Sequence, residues 1–364
     1  DLAEKEKLNH DRPHQADSDA QVTAELFLIL LGRLSSLPRI TLRKLSQLSG
    51  GLKSDLDQLL DDILVTKEGT EEELAETIEI FMNLALRKPL VESDADEGNK
   101  EYQFPESEED KVKLVKHAFE AFEKRLGQFT MMDTVYQSFN NEKHTLIEAG
   151  TGVGKSLGYL LPIACFSKQK GFPIVVSTHT IQLQEQILKK EIPHLAKILP
   201  FKFSSVLLKG RNHYLSLEKF NQTLADDNDN YDTGLTKMQI LVWLTETETG
   251  DRDELNLSSG GQIFWNRIRN EPAIFLRSQA WQDRDFYLKA KKEAQAADII
   301  ITNHSLLLSD IKGDGTILPE FSFAIIDEGH QFEKAAGQFF GHTLDYLSIR
   351  LLLGQFGLYE QKQL

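Results

Sequence analysis

The segment Ala149-Gly150-Thr151-Gly152-Val153-Gly154-Lys155-Ser156 constrains this chain more than any other feature. Its glycines permit a tight turn whose backbone N–H groups converge on phosphate oxygens, and a helix beginning at the turn adds free donors and a favourable dipole. The loop works only between a strand and a helix. Thr145–Ile147 reads as that strand and Lys155–Ser167 as that helix. Ala149, Gly150, Thr151, Gly152, Val153, Gly154, Lys155 and Ser156 are therefore expected to bind ATP. Lys155 would neutralise the β- and γ-phosphates, and the Ser156 hydroxyl would ligate Mg²⁺.

Short β-branched runs recur downstream at Ile174–Ser177, Ser204–Leu208, Ile299–Thr302 and Ala324–Ile326. Helical patterns at Thr180–Leu199 and Asp285–Ala297 lie between them. Strand–helix alternation predicts an α/β domain with a parallel sheet covered on both faces. The last strand runs into Asp327-Glu328-Gly329-His330. Two acids at the end of an apolar strand, downstream of a phosphate loop, form a Walker B pattern: Asp327 would position Mg²⁺ and Glu328 would polarise the attacking water. The stretch Glu218–Gln282 breaks the rhythm and reads as a mostly helical insertion, with an acidic loop near Asp226–Asp232.

Composition narrows the class. At 364 residues the chain is long enough for two or three domains, and 40% hydrophobic with 27% charged residues is the balance of a folded soluble protein. The longest apolar run, Leu26–Leu31, falls far short of the ~20 residues a membrane span needs. One cysteine, Cys165, excludes a disulfide framework, a four-cysteine zinc site and an iron–sulfur cluster built from this segment. The net charge of −15 is local: between Lys53 and Asp110 stand 19 acids and 5 bases, so the remainder is nearly neutral and a phosphate-rich partner stays open.

Ahead of the α/β region, Ala20–Leu34 is an apolar helical run. Leu42, Leu45, Leu48, Leu52, Leu56, Leu59, Leu60 and Ile63 follow at three- and four-residue spacing, an amphipathic helical pattern. Glu92–Asp110, with nine acids, reads as a solvated linker.

Beyond the two Walker patterns, four stretches carry a family resemblance. They are Arg125-Leu126-Gly127-Gln128 with Met131 and Met132; Val175 to Gln186, containing Ser177-Thr178-His179-Thr180-Ile181-Gln182; Lys209-Gly210-Arg211-Asn212-His213-Tyr214-Leu215; and Ala297 to Leu307, containing Thr302-Asn303-His304. Together they resemble the DinG/XPD-like branch of superfamily 2 helicases, over about residues 112–340. The resemblance implies a RecA-like P-loop domain that hydrolyses Mg·ATP while acting on single-stranded DNA, with RNA as the other candidate. It implies that Arg125 and Gln128 serve ATP, with Gln128 reading adenine. It also implies that Thr178, Gln182, Asn303 and His304 touch the strand, and that His330 completes the catalytic box with Lys155, Asp327 and Glu328.

Two features depart from the pattern. Members with a [4Fe–4S] cluster carry cysteine where this chain has Ser216, and three more in the region of Ser278, Ala280 and Asp285, so no cluster is expected. Gly329 stands where the family usually has alanine, which loosens the backbone at that point.

The amino-terminal His14-Gln15-Ala16-Asp17-Ser18-Asp19-Ala20, followed by Thr23-Ala24-Glu25-Leu26, is similar to the last motif of the DnaQ-type 3′–5′ exonucleases. That resemblance implies His14 as general base and Asp19 as a metal ligand of a two-metal site.

The expected organisation is an exonuclease tail over residues 1–35, a helical acidic connector over 36–110, and a first RecA-like domain over 111–364 with its insertion near 218–282. Residue 1 is not Met, and too few residues follow 340 for a second RecA-like domain. The chain is accordingly read as half a motor, part of a longer cytoplasmic protein without a membrane partner. Two other readings compete: a nucleotide-dependent nucleic-acid-binding module with little unwinding activity, and a P-loop kinase or transporter ATPase.

Overall fold

The computed structural model describes residues 2–8, 14–52, 54–69, 72–89, 103–116, 125–150, 152–226, 229–272, 279–313, 315–341, 346, 349–350 and 353. Thr151 and Ser278 lie outside the described residues, as do parts of the acidic segments near 92–110 and 226–232. The chain forms two compact units: Asp1–Ser93 with Arg211–Tyr287, and Asp94–Gly210 with Leu288–Leu364.

The first unit assembles amphipathic helices that cannot bury their apolar stripes alone. Helices span Ala16–Ser36, Arg39–Ser49 and Leu56–Lys67, and the first two are separated at Leu37-Pro38, where proline blocks helical continuation. A hairpin of β1 (Ile78–Phe81) and β2 (Leu84–Arg87) follows. Met82 and Asn83 turn it with positive φ angles of 46° and 63°, the backbone twist that two-residue hairpin turns require. Further helices span Leu217–Thr223, Tyr231–Trp243 and Ser259–Ile268; the side chains of Ser216, Asn230 and Ser258 cap them. Ser216, where cluster-bearing relatives carry cysteine, thus has a structural task as the Leu217–Thr223 cap.

One core joins the two halves of this unit. Leu42, Leu45 and Leu60 pack in the same cluster as Leu84, Phe220, Leu241 and Trp265. The stretch expected as a helical connector over 36–110 holds the β1–β2 hairpin as well as helices, and its part up to Ser93 shares a single apolar interior with the stretch expected as an insertion, while Phe104 packs in the core of the second unit. Sequence boundaries drawn from charge separate them because exposed acids such as Asp55, Asp61, Asp62 and Glu68 alternate with leucines that face inward, among them Leu42, Leu45 and Leu60.

The second unit is built on a four-stranded parallel sheet. Its strands are β3 (Ile174–Thr178), β4 (Ser205–Leu207), β5 (Ile299–Asn303) and β6 (Phe323–Ile326), in the order β4-β5-β3-β6. The central strands are buried along almost their whole length, as a sheet covered on both faces requires. The helix Lys155–Lys170 packs its Tyr159–Phe166 stretch into the core with Ile174, Val176, Ile299 and Ile301. The predicted strands and helices match these elements closely, with one exception. Thr145–Ile147 forms no strand, and Leu146 is fully exposed. A β-branched run becomes a strand only where a neighbour offers its backbone groups, and no strand pairs with it among the described residues. Among those residues no single helix is long and apolar enough to cross a membrane.

Shortening Leu42 to alanine tests the shared core. Leu42→Ala is expected to cost about 2–5 kcal/mol, the range for a fully buried leucine, and to lower the thermal midpoint of the first unit. A tether without a core would show no change.

Candidate active site

The parallel register decides where the carboxylates stand. Ile174–Ser177 of β3 pair with Phe323–Ile326 of β6, and the Asp327 amide extends the ladder by donating to the Ser177 carbonyl at 2.8 Å. Asp327 and Glu328 therefore leave the sheet at the carboxyl end of a strand, where open α/β sheets gather ligands. Glu328 sits in the left-handed region, φ 53° and ψ 47°, just before the helix Gly329–Phe340. A non-glycine residue held there stores strain of roughly 1–3 kcal/mol, which the surrounding structure must offset. The Glu328 amide donates to Asp327 Oδ1 at 3.0 Å and locks the turn. A Cβ on Gly329 would meet open space, so the alanine usual at that position would fit as well as glycine.

The phosphate loop faces these acids. Gly152 and Gly154 take φ angles of 80° and 83°, and the helix Lys155–Lys170 starts directly after them. A Cβ at position 154 would lie 2.2 Å from Gln128 Nε2, so only glycine fits. That Nε2 donates to the Gly154 carbonyl at 2.9 Å, and Arg125 Nη1 donates to the Gly152 carbonyl. Both residues, expected at the nucleotide from their motif, grip the loop backbone; Gln128 is buried and Arg125 exposed. Ala149, Gly150, Val153 and Ser156 lie along the same loop, with Gly150 exposed.

Lys155 Nζ reaches Glu328 Oε1 at 3.1 Å, and His330 Nδ1 lies 3.5 Å from Glu328 Oε2. Sequence reasoning missed Tyr159, whose hydroxyl donates to Asp327 Oδ2 at 3.3 Å. Its signal was available: Tyr159 follows Lys155 and Ser156 by one helical turn, the spacing that puts side chains on one face. Burial, then the Glu328 charge, pushes the Asp327 carboxyl above the usual carboxylate range. Burial and the Asp327 charge push the Tyr159 phenol up. The site thus offers a glycine turn at a helix start, a cation, a hydroxyl at Ser156 and two carboxylates, a donor set that fits a magnesium–nucleoside triphosphate.

The residues expected at a nucleic-acid strand are differently disposed. Thr178 is fully buried, and its hydroxyl donates to the Thr180 carbonyl at 3.2 Å. Asn303 Oδ1 accepts from the Leu306 amide at 2.8 Å and caps the helix His304–Lys312. His304 is buried, with Nδ1 2.8 Å from Ser177 Oγ; burial and the neighbouring His179 bring its pKa down to about 4. Gln182 is the exposed one of the four. His14 and Asp19 belong to the first unit, where the His14 amide donates to Asp19 Oδ1 at 3.2 Å at the start of the helix Ala16–Ser36.

The raised Asp327 carboxyl has a signed consequence. An acid whose folded pKa is raised destabilises the fold once pH exceeds its unfolded value, and this penalty disappears as pH falls and the group protonates. Asp327→Asn should therefore raise the melting temperature at pH 7.5, by an increment that shrinks toward pH 4. Thermal scans across that range check it; an unchanged or lowered midpoint at pH 7.5 would show that Asp327 carries no such penalty.

Residues 128–226 match the DEAD/DEAH box helicase family. The whole chain aligns at 41% identity over 367 residues with a 3′-5′ exonuclease DinG from Bacillus subtilis (strain 168), covering 39% of that protein. It aligns at 31% over 371 residues with proteins of the same description from Staphylococcus aureus strains USA300 and NCTC 8325, again covering 39% of each. The chain thus spans about two fifths of the length of these relatives. The phosphate loop and paired carboxylates thus stand at the head of a parallel sheet in a chain that is similar along its entire length to these DinG proteins and matches the DEAD/DEAH box helicase family over residues 128–226.

Proposed function

We propose that this chain is the ATP-engaging part of an enzyme that hydrolyses Mg·ATP while acting on single-stranded nucleic acid, DNA foremost. In the intact protein it would be joined to a 3′–5′ exonuclease. The observation that carries the motor reading is the 3.1 Å contact between Lys155 of the loop and Glu328 of the strand end. Two motifs far apart in sequence meet there in the order that phosphoryl transfer needs.

Bound Mg·ATP would supply the phosphoryl group and the metal charge that offsets negative charge developing on it. Ser156 and Asp327 would hold the metal, with Tyr159 fixing the second Asp327 oxygen. Lys155 would exchange the Glu328 carboxylate for phosphate oxygens. That exchange frees Glu328 to accept a proton from the attacking water, with His330 orienting it. Ala149 to Gly154 would wrap the phosphates through their amides, while Arg125 and Gln128 brace the loop and border the base. Exposed Gln182 would touch the strand backbone, with Thr178, Asn303 and His304 supporting the surface beneath it. Contacts of this kind read charge and shape rather than base sequence. With Cys165 as its one cysteine, this chain supplies too few thiolates to hold an iron–sulfur cluster by itself, in keeping with the reading.

Residues 1–35 would be the tail of the exonuclease domain, with His14 as base and Asp19 as metal ligand; residues 36–110 would lead into the motor domain. The match to relatives described as 3′-5′ exonucleases supports this assignment. The exposed Phe27, Leu28 and Leu30 on the helix Ala16–Ser36 fit an element that belongs beside further structure.

Two measurements test the reading. Lys155→Ala should weaken binding of a fluorescent ATP analogue at least tenfold, and unchanged affinity would remove the loop from the assignment. Degradation of a 3′-end-labelled single strand by the full-length protein should fall by two orders of magnitude or more in Asp19→Ala. Digestion at the normal rate would make the His14–Asp19 motif a coincidence.

A further inference from the structure

The first unit holds a second cluster of ligand-type side chains, separate from the candidate active site. His213, Asp251 and Asp253 each offer one ligand atom, and all these atoms lie within 4.8 Å of one another. His213 Nδ1 is 3.4 Å from Asp253 Oδ2. That nitrogen is shielded from solvent yet makes no hydrogen bond. A solvent-shielded imidazole nitrogen beside two carboxylates, within ion-pair range of Asp253 but without a hydrogen bond, leaves its lone pair or proton incompletely satisfied.

We propose that His213, Asp251 and Asp253 form a binding site for one first-row divalent cation, of which Zn²⁺ is the best fit. Zinc bonds to imidazole nitrogen and carboxylate oxygen are about 2.0–2.2 Å, so neighbouring ligands in a tetrahedral shell stand about 3.4 Å apart. The His213–Asp253 separation matches that edge. The remaining pairs come within range by side-chain adjustments of an ångström or so. One nitrogen and two carboxylates suit zinc better than Mg²⁺, which prefers an all-oxygen shell with several waters. The fourth position would take water.

The scaffold around the three ligands is preorganised. Tyr214 bridges Asp251 across the backbone, and the Leu215 amide donates to the Gly250 carbonyl at 2.9 Å. Gly250 has φ 65°, and a Cβ there would lie 2.2 Å from the Phe286 ring, so the turn that presents Asp251 requires glycine. Asp251 Oδ1 accepts from the Asp253 amide at 3.1 Å. The Glu254 carboxylate accepts from Trp243 Nε1 and from the Thr247 and Thr249 hydroxyls. Glu254 is thus committed to holding the loop rather than to the cation. Outer hydrogen bonds of this type fix ligand orientation in metal sites. The ion would cross-link the turn Arg211–His213 to the loop around Asp251–Glu254.

The test uses the 364-residue chain without a histidine tag, stripped with chelator and titrated with ZnCl₂ by calorimetry. One Zn²⁺ per chain at micromolar affinity or better is expected, together with a zinc-dependent rise in melting temperature. Asp251→Asn keeps an oxygen to accept the Asp253 amide while removing the charge, and it should weaken binding at least tenfold and abolish the rise. His213→Gln, a second variant on a different segment, should do the same. Metal-free melting temperatures of both variants establish that the unit still folds. Absence of saturable binding, or equal affinity in wild type and both variants, overturns the proposal: the cluster would then be a His–Asp pair, and any zinc bound would reside elsewhere.

Discussion

The hydrogen bond from the Asp327 amide to the Ser177 carbonyl governs the chemistry of this chain. It adds one rung to the β3–β6 ladder and forces the strand to end there, because Glu328 turns into the left-handed region immediately afterward. Ser177 contributes twice, since its hydroxyl also meets Nδ1 of His304, the residue that directly follows β5 on the other side of β3. Three adjacent parallel strands are thereby stitched together at their carboxyl ends. A slip of one residue in β6 would send Asp327 to the opposite face of the sheet and away from Lys155.

Electrostatics at this point are built for exchange rather than for stability. Lys155 and Glu328 are each about one-third exposed, so their pairing gains little from a low dielectric and dissolves readily. Asp327 is the more buried of the two acids, and its hydrogen bond from Tyr159 is one of few offsets to its desolvation. A carboxylate kept partly against its preference is one that a divalent cation stabilises strongly, because the cation supplies what the protein withholds.

Much of this was legible in the sequence, for identifiable reasons. The loop at 149–156 and the acids at 327–328 are read from residue type because backbone amides, a lysine and paired carboxylates have few substitutes. Strands β3 and β5 were legible because burial on both faces leaves an uninterrupted β-branched run. Thr145–Ile147 is also apolar and partly β-branched yet forms no strand, since composition reports fitness for a sheet and not the presence of a neighbour. The uses of Thr178, Asn303 and His304 were legible only in part: a motif names a residue, while burial and capping are properties of packing. Likewise, the His213, Asp251 and Asp253 cluster joins segments nearly 40 positions apart, and no local spacing announces it.

The divided first unit has a consequence for the order in which the chain can fold as it is made. Leu42 and Leu45 are synthesised early, but their packing partners Leu241 and Trp265 come only after the whole Asp94–Gly210 stretch has been produced. At ~5–20 residues per second, that stretch keeps an apolar helical surface waiting on the ribosome for several seconds or longer. Closing so long a loop also costs roughly 4 kcal/mol of chain entropy before any contact repays it. The α/β unit faces the same delay in mirror image, since β3 and β4 must wait for β5 and β6. The two units are therefore interleaved in time: the first can complete its core once Tyr287 has been made, whereas the α/β unit must wait until translation has passed β6.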